Sequence, residues 1–517
     1  MAIFGRTSPQ AARPTTDNEK TGTEGGHVER VHTNDNDITL AKVGVDAKLD
    51  EFGARSKTNP EEIALVKKLD RTILVGIALY LHVTIAEAGL QPILWIMYFF
   101  NFLDRNALVN AKLNTLDADL GLKGTEYNTL ISILFVGYIA GQIPSNMILN
   151  RVRPSWYLGG FCMAWSIVCL LTFKASNFGG MLACRFMLGV TEAPFYPGAL
   201  FLLSLFYTKK EIASRMAIFY TGNMIASSFA GLISAGVFAG LSGVSGLAGW
   251  QWLFIIQGGL SILVAFVSFF LLPDHPLQTR WLNEKERLLA HNRIAADTTQ
   301  REEATSVWLG LKQALADWRC WVFCLMYNTH ISSVSFQSFL PTVVRTLGYN
   351  TTITLALTCP PYLLAAVMAI VMSYTSGRYN ERTWHITVFK TLIIIGFIIP
   401  AVTTNVAARF VAIFIFVTFS FGINNIMLGW TSATMGQTPE KKAVALALCN
   451  SLGNMSSIYT PYLWPSSDNP RFLKAWMAAI AFSAIAVAST WVMRISLQRK
   501  NKKMKEEDPD TLVLYVY

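Results

Sequence analysis

Long apolar segments recur along most of the chain, and each is close to the length that an α-helix needs to cross a bilayer. A helix of about 20 residues spans the hydrocarbon core. Six such segments precede a polar stretch and six follow it, at 92–111, 127–149, 157–174, 182–206, 216–240, 251–272, 321–344, 353–376, 384–404, 407–427, 443–464 and 473–494. The pattern predicts an all-α integral membrane protein with two groups of six spanning helices.

The polar segments divide the chain into five predicted parts. These parts are a disordered cytoplasmic tail at 1–70, a six-helix half at 71–272, a cytoplasmic central loop at 273–320, a second six-helix half at 321–494 and a second cytoplasmic tail at 495–517. The first tail lacks the basic start, apolar core and cleavage site of a signal peptide. Membrane insertion is therefore expected to rely on the first spanning helix.

Lysine and arginine are unevenly distributed between the two ends of the predicted helices. The loops at 150–156, 207–215, 377–383 and 436–442 each carry two or three of these residues, whereas the opposite loop at 241–250 carries none. Cytoplasmic loops of membrane proteins are enriched in lysine and arginine. The sequence therefore predicts a multi-pass protein with both termini in the cytoplasm, and the plasma membrane is its expected location.

The composition excludes most classes of soluble protein. Hydrophobic residues make up 52% and charged residues 15% of the 517 positions, against about 25% charged in an ordinary soluble chain. The segments 1–71, 273–320 and 494–517 hold 47 of the 76 charged residues, so the rest of the chain has too few charges for a water-exposed surface. The lipid bilayer is therefore the expected partner. The net charge of +10 lies largely in the predicted cytoplasmic loops and requires no nucleic acid.

One segment departs from the regular pattern. Residues 72–103 form an apolar stretch that is too long for one span and too short for two, and a polar interruption lies at its centre. Removal of Val75–Gln91 would join Leu74 to Pro92 in a normal entry to a first span. Three interpretations are open: a retained intron at Val75–Gln91, an amphipathic or interfacial helix before the first span, and a thirteenth span, which is disfavoured because it would disturb the pattern of loop charges. Sequencing of the mature transcript tests the first of them.

Charged residues inside predicted spans are the main candidates for function, because they are expensive to place in a membrane. The fourth span contains Arg185 and Glu192, which are seven residues apart and so share one face of a helix. An arginine fits a carboxylate with two parallel hydrogen bonds, and a nearby acid exchanges protons with solvent as access alternates. The first span contains Asp104 and Arg105. The alternative for both pairs is an ion pair that only holds helices together.

The two halves share a short repeat. Gly222-Asn223-Met224 in the fifth span resembles Gly453-Asn454-Met455 in the eleventh, and paired serines follow each triplet. Carriers built from related halves place their binding site at the repeat interface. Asn223 and Asn454 are therefore candidate substrate-binding residues, although small residues in helix interfaces also recur by chance. Further polar residues that are candidates for a central cavity are Gln337, Asn424, Asn425 and Asn450.

Three further residues stand out inside apolar segments. Pro194 follows Glu192 closely and is expected to interrupt the helix there. His330 is either a group that titrates near neutral pH or, as is commoner for a lone histidine, one that is bonded to a neighbour. Lys390 lies near the start of the ninth span and is expected to extend its amine to the cytoplasmic interface.

The sequence contains no sign of an enzyme or of a cofactor. No Gly-x-x-x-x-Gly-Lys-Ser/Thr phosphate loop occurs, so transport driven by nucleotide hydrolysis within this chain is excluded. The seven cysteines lack paired metal-ligand spacing and are expected to be buried thiols. No cofactor and no metal are predicted.

Several segments together resemble the major facilitator superfamily, and specifically fungal anion:cation symporters of the allantoate permease type. The segments that carry the resemblance are Phe102-Leu-Asp-Arg-Asn106, Gln142-Ile-Pro-Ser-Asn146, Arg151-Val-Arg-Pro-Ser155, the string from Arg185 to Gly198, Gly436–Ala447 and Tyr459–Pro465. The last two resemble the nicotinic acid carrier branch most closely. The resemblance implies a twelve-helix fold with two six-helix halves around a central cavity.

The resemblance also implies a function. In related carriers of sialic acid, glutamate and sugar acids, a first-span arginine and a fourth-span arginine and glutamate serve anion binding and proton coupling. By motif, these roles fall on Arg105, Arg185 and Glu192, with Asp104 as a second proton site. We therefore expect a monomeric carrier that imports a small organic anion with protons by alternating access. Nicotinate-, pantothenate-, allantoate- and sugar-acid-like carboxylates are all candidate substrates.

Two other functions remain open at this point. The first alternative is an exporter of a fungal metabolite with the same fold. Transport in the export direction, measured with inside-out vesicles, would support it. A nutrient sensor without transport activity is the second alternative, and normal signalling without measurable flux would support it.

Overall fold

The computed structural model describes residues 60–70, 90–149, 152–279, 282–297, 307–436, 438–507 and 515–517. Within these ranges the chain folds into α-helices joined by short turns and 3₁₀ segments. The helices of the first half are α1 (Pro60–Asp70), α2 (Leu90–Ala111), α3 (Leu116–Asp119), α4 (Glu126–Leu149), α5 (Pro154–Leu171), α6 (Phe178–Glu192), α7 (Phe195–Phe206), α8 (Lys209–Leu241) and α9 (Gly249–Leu271).

The central segment contributes two helices, and the second half follows them. The helices of this part are α10 (Glu284–Asp297), α11 (Val307–Ala316), α12 (Trp318–Ser333), α13 (Leu340–Arg345), α14 (Thr351–Leu357), α15 (Cys359–Arg378), α16 (Thr383–Val402), α17 (Val406–Thr434), α18 (Pro439–Tyr459) and α19 (Leu473–Glu507). A 3₁₀ segment at Ser335–Phe339 joins α12 to α13.

Each predicted span corresponds to a helix or to a pair of consecutive helices. In the described part of the chain, eight of these units are long and apolar enough to cross a membrane. The other four predicted spans correspond to α2, to α4, to α12 with α13, and to α18. The predicted all-α membrane fold is confirmed, and these helices are consistent with two groups of six spans.

The exterior of the helix bundle is apolar, as a lipid environment requires. Large side chains such as Leu263, Phe266 and Phe270 on α9 are more than half exposed. Isolated exposed apolar residues are normal in a soluble protein, but apolar surface of this extent is not. Several large aromatic residues lie in the interior, among them Trp165, Trp430 and Trp476, which are fully buried.

Helices α4 and α6 approach each other closely through glycine. A Cβ atom added at Gly189 would lie 2.0 Å from the backbone oxygen of Leu134, and one at Gly137 would lie 2.3 Å from that of Phe186. Small residues at such positions let two membrane helices pack backbone to backbone. This contact fixes the position of α6, which carries both Arg185 and Glu192.

The fourth span is broken, as predicted from its prolines. Helix α6 ends at Glu192 and α7 begins at Phe195, with Pro194 as the residue that precedes α7. Proline has no N–H to continue the helical hydrogen bonds. The break leaves Glu192 at the end of a helix, at the centre of a span rather than at its rim.

Ion pairs attach the central segment to the ends of the spanning helices. Arg293 on α10 donates to Glu211 at 2.6 Å and to Glu62 at 3.1 Å. Lys441 on α18 donates to Asp317, the residue that caps α12, at 2.7 Å. Partial burial alone would raise the pKa of Asp317, but the hydrogen bonds from Lys441 and from the backbone N–H of Arg319 hold it below its ordinary value.

The two halves are bridged on the side of the bundle where α2 ends and α4 begins. Asn128 on α4 donates to the backbone oxygen of Pro461 at 2.7 Å, and the hydroxyls of Thr129 and Tyr462 lie 3.0 Å apart. On the same side, the amine of Lys112 lies 3.7 Å from the centre of the Tyr127 ring. The contacts of Asn128 and Thr129 join the two halves at this end of the bundle.

The predicted insert at Val75–Gln91 lies outside the described residues except for its last two. Leu90 and Gln91 form the first turn of α2 and are buried. The side-chain amide of Gln91 donates to the backbone oxygen of Arg215 at 3.0 Å. The question of a retained intron therefore stays a prediction.

Candidate functional site

A buried ion pair lies at the centre of the first half, between α2 and α6. The guanidinium of Arg105 donates to the carboxylate of Glu192. The side chain of Glu192 is fully buried and that of Arg105 is 17% exposed. The sequence placed Glu192 beside Arg185, but the structure pairs it with Arg105 on a different helix.

Two aromatic rings hold the guanidinium of Arg105 in place. Its central carbon lies 5.1 Å from the centre of the Phe102 ring and 5.0 Å from that of Tyr138. A cation over an aromatic face gains about 0.5–2 kcal/mol, more where water is excluded. The rings orient Arg105 without neutralising its charge.

Arg185 is a second cation of this site, and the nearby acid Glu192 forms its salt bridge with Arg105 instead. Arg185 is 3% exposed, and within the described residues no carboxylate lies within salt-bridge distance of it. Its Nε atom is buried without a hydrogen-bond partner there. A buried cation in this state is costly unless an anion approaches it. The arrangement is therefore suited to an anionic ligand.

Asp104 lies in a separate buried position on the same helix as Arg105. Its Oδ2 atom accepts a hydrogen bond from the hydroxyl of Ser261 on α9 at 2.8 Å. Its Oδ1 atom has no partner among the described residues. Because neighbouring residues on a helix point in different directions, Asp104 faces α9 whereas Arg105 faces α6.

The two arginines line one part of a central cavity, here called the arginine part. This part offers a space of about 530 Å³ that is partly open to solvent. Its walls come from both halves and are formed by Phe102, Arg105, Asn106, Leu108, Val109, Leu130, Ile131, Leu134, Phe135, Arg185, Gln337 and Ser338.

A second part of the cavity, here called the polar part, adjoins the first. It offers a space of about 600 Å³, also partly open to solvent, and shares Ile131, Phe135, Gln337 and Ser338 with the arginine part. Its other walls are formed by Tyr220, His330, Ile331, Val334, Ser335, Ser420, Phe421, Asn424, Ser457, Thr460 and Pro461. A small molecule in the cavity therefore meets cations at one end and hydrogen-bonding groups at the other.

The two repeat-related asparagines occupy different environments. The Oδ1 atom of Asn223 accepts a hydrogen bond from the side-chain amide of Gln337 at 3.4 Å, so this residue supports a cavity wall from behind. Asn454 is half-buried and is not among the residues that line either part of the cavity. Ser457, one helical turn later, is a wall residue instead.

Sequence reasoning proposed some cavity residues and missed others. Gln337 and Asn424 line the cavity. Both were candidates because they are polar residues inside apolar spans. The wall residues Phe135 and Tyr220 were missed, and so was Tyr138, which packs against Arg105. Aromatic residues are frequent throughout the spans, so their type alone does not distinguish a wall residue from one that faces lipid.

The prediction for Lys390 is wrong. Its amine does not reach the membrane interface; it is fully buried and donates to the hydroxyl of Ser333 at 2.7 Å. The face of α16 that carries Lys390 packs toward α12 and α19, so the lysine side chain extends between these helices. His330 is also buried, and its Nδ1 atom has no partner among the described residues.

The sequence matches one protein family over most of its length. Residues 94–461 fit the family model of the major facilitator superfamily. This range begins within α2 and extends past the end of α18, and it contains every wall residue of the cavity. The finer assignment to the allantoate or nicotinic acid carriers is not decided by this match.

Fungal transporters are similar to this chain over most of its length. The major facilitator-type transporter hxnP of Emericella nidulans is 29% identical over 82% of this chain and 86% of its own. The MFS-type transporter cnsO of Penicillium expansum is 32% identical over 81% of this chain and 83% of its own.

Solved structures share the fold at low sequence identity. A bacterial homologue of the human lysosomal transporter Spinster, inward-facing and unoccupied, superimposes with a TM-score of 0.63 at 15% identity over 78% of this chain and 96% of its own. The xylose transporter XylE of E. coli, partially occluded and inward-open, gives a TM-score of 0.60 at 12% identity over 78% of this chain and 96% of its own. With its helical spans and central cavity, this chain is a multi-pass membrane transporter that belongs to the major facilitator superfamily.

Proposed function

We propose that this transporter imports a small organic anion together with protons, by alternating access. The observation that carries the proposal is Arg185, a buried cation without a salt-bridge partner among the described residues, which lines the cavity next to a buried ion pair. An ion pair alone would serve packing equally well. A second cation beside it favours a carboxylate as the ligand.

The arginine part of the cavity matches the chemistry of a carboxylate. The planar guanidinium offers parallel N–H donors that fit both carboxylate oxygens. Arg185 is available for this contact, and Arg105 becomes available when its bond to Glu192 breaks. Exclusion of water from the site strengthens each of these charge interactions.

The Arg105–Glu192 pair supplies a mechanism for proton coupling. A proton on Glu192 neutralises the carboxylate and releases Arg105 to contact the substrate. Loss of this proton restores the Arg105–Glu192 pair and lowers the affinity of the site for the substrate anion. Asp104, whose described hydrogen-bond partner is the hydroxyl of Ser261, serves as a second proton site.

The contacts between the halves support an inward-facing arrangement. Asn128 and Thr129 bridge to the second half at the end of the bundle remote from α1 and from the end of α19. With both termini in the cytoplasm, this end faces the exterior of the plasma membrane. Transport then requires these bridges to open while the opposite end closes. The cavity lies within one chain, so a monomer suffices.

The resemblance of the sequence to the nicotinic acid carrier branch suggests the first probes. Uptake of radiolabelled nicotinate, pantothenate, allantoate and a sugar acid is measured in cells that lack their own carriers. The measurements are made at acidic and alkaline external pH, with and without an uncoupler. We expect one of these anions to accumulate at acidic pH and the uncoupler to abolish the accumulation.

A matched pair of variants distinguishes coupling from general damage. Glu192→Gln removes the titratable acid of the site, whereas Glu126→Gln makes the same change at the start of α4, outside the cavity. We expect loss of pH-dependent uptake in the first variant only. If uptake by the unaltered protein depends neither on external pH nor on the uncoupler, proton symport is contradicted. If only outward flux is measured, the protein is an exporter.

A further inference from the structure

A lysine and a tyrosine continue two rows of cavity residues toward the end of the bundle where Asn128 bridges the halves. Arg105 and Leu108 on α2 line the arginine part of the cavity. Lys112 follows them, seven and four residues later, and residues spaced in this way share one face of a helix. At a rise of about 1.5 Å per residue, Lys112 lies roughly 10 Å beyond Arg105 along the axis of α2.

The second row lies on α4. Ile131 and Leu134 line the arginine part, and Tyr127 precedes Ile131 by one helical turn on the same face. Tyr127 is 5% exposed, and its hydroxyl has no hydrogen-bond partner among the described residues. The hydroxyl lies within electrostatic range of Arg185. A buried polar group of this kind is costly unless a ligand bonds to it, so packing alone does not explain it.

The amine of Lys112 contacts aromatic rings rather than an acid. It lies 3.7 Å from the centre of the Tyr127 ring and 5.9 Å from that of Phe339. Asp117 lies within electrostatic range of this amine, but no carboxylate among the described residues lies within salt-bridge distance of it. An aromatic face is a weaker partner for an ammonium than a carboxylate that accepts its hydrogen bond. The flexible lysine stem lets the amine exchange the ring for such a partner.

The cover over this pair of side chains comes from the second half. Phe339 follows the cavity residue Ser338 and packs edge-to-face on Tyr127, with the ring centres 6.1 Å apart. Phe339 is stacked in turn on Trp464 at 5.2 Å, and both rings are 2% exposed. Alternating access requires the halves to separate at this end. This movement takes Phe339 away from Lys112 and Tyr127 and opens both to an entering molecule.

We propose that the amine of Lys112 and the hydroxyl of Tyr127 form an outer binding subsite for the carboxylate of an organic anion. The anion binds there when the halves part, and it then moves inward to Arg185 and Arg105. The amine supplies the charge, and the hydroxyl donates a second hydrogen bond to the same carboxylate. The subsite rests on the proposed function, because it is the entry to the same cavity, and it acts on anions that arrive from the outer face.

The test compares the KM of uptake at the two faces of the membrane. Intact cells expose the outer face, and inside-out vesicles from the same cells expose the cytoplasmic face. The probe is whichever of radiolabelled nicotinate, pantothenate and allantoate the unaltered protein carries, and rates are corrected for the amount of transporter. The pH is equal on both sides, so that the proton gradient does not differ between the two measurements.

We expect Lys112→Gln and Tyr127→Phe each to raise the outer KM about tenfold, because each removes one hydrogen bond to a charged group. The cytoplasmic KM stays within about twofold, since an anion from that side reaches the arginines without passing the subsite. Lys112→Arg keeps the charge and leaves the outer KM within about threefold. Lys123→Gln is the matched control: it removes the same charge at an exposed position between α3 and α4 and changes neither KM.

The direction of the change separates a binding site from a simple contact between the halves. If Lys112 only held the halves together, Lys112→Gln would favour the outward-open arrangement, and so lower the outer KM and raise the cytoplasmic one. Tyr127→Phe keeps the ring that contacts Phe339, so a packing role alone would leave both KM values unchanged. Either of these results, or an equal rise at both faces, overturns the subsite.

The subsite and the proposed function fail in different ways. If the unaltered protein carries one of the three anions and both variants keep its outer KM, the subsite is wrong and anion transport stands. If the unaltered protein carries none of them at either face, the proposed function and the subsite are both contradicted. If Lys112→Gln does not reach the membrane, Tyr127→Phe decides alone, since it deletes one oxygen atom and leaves the ring contacts in place.

Discussion

Replacement of Arg185 by glutamine is the sharpest perturbation of the proposed anion site. The change removes the buried cation that has no salt-bridge partner among the described residues, and it keeps a shorter, polar side chain. Arg185 is 3% exposed, and its Nε atom has no partner among the described residues. The contacts that it loses are therefore mainly those with a bound anion.

The size of the effect follows from the hydrogen bonds that a guanidinium makes to a carboxylate. A hydrogen bond to a charged group contributes about 1.5–3 kcal/mol, so loss of two such bonds costs about 3 kcal/mol or more. Each 1.4 kcal/mol is about tenfold in affinity. Arg185→Gln is therefore expected to raise the KM of anion uptake at least about 100-fold. Arg185→Lys keeps the charge but loses the planar fork, and we expect about a tenfold increase.

The assay is concentration-dependent uptake of whichever anion of the panel the unaltered protein carries, corrected for surface expression. Arg409→Gln is the matched control, because Arg409 is also a buried arginine but donates to the backbone oxygen of Pro470 at 2.9 Å, away from the cavity. The KM of Arg409→Gln is expected to stay within about threefold of that of the unaltered protein, because Arg409 does not contact the substrate. An Arg185→Gln protein with an unchanged KM would refute the reasoning.

Three further predictions concern the frame of the site. Gly189→Ala places a Cβ where only 2.0 Å separates it from the backbone oxygen of Leu134, so we expect a loss of about 1–3 kcal/mol in stability, seen as a lower Tm in detergent. Asn128→Ala removes a bridge between the halves, and spin-label distances should shift toward the outward-open population. Asp317→Asn weakens the pair with Lys441 by about 1 kcal/mol. Because the pKa of Asp317 is depressed, the pair stabilises the folded protein at neutral pH. This contribution is lost as the pH falls through the lowered pKa. Thermal unfolding of both proteins at pH 7 should therefore differ, and the difference should shrink in acid.

The fold was largely predictable because each membrane-spanning helix requires a long apolar segment, which is easy to recognise in a sequence. A spanning helix needs about 20 apolar residues, and no loop between the predicted spans resembles that pattern. The predicted start of the last span at 473 agrees with α19, which begins at Leu473. The end of that helix was not predictable, because α19 continues to Glu507 beyond its apolar part, through basic residues that form helices readily.

The site was only partly predictable because pairings between helices are not visible in a linear sequence. Arg185 and Glu192 share a helix face, yet Glu192 bonds to Arg105, which comes from α2. Lys390 shows the same limit. Its distance from the start of the helix suggested an interfacial position, but the packing of α12 and α19 decides where a long side chain ends.

Coupled movement of anion and proton is the central claim, and one measurement tests it most directly. The purified transporter is reconstituted into liposomes that contain a pH-sensitive dye, and an inward gradient of the carried anion is imposed without any pH gradient. The account predicts that the interior acidifies as the anion enters, and that Glu192→Gln abolishes the acidification. Entry of the anion at an undiminished rate with no change in internal pH would contradict the account.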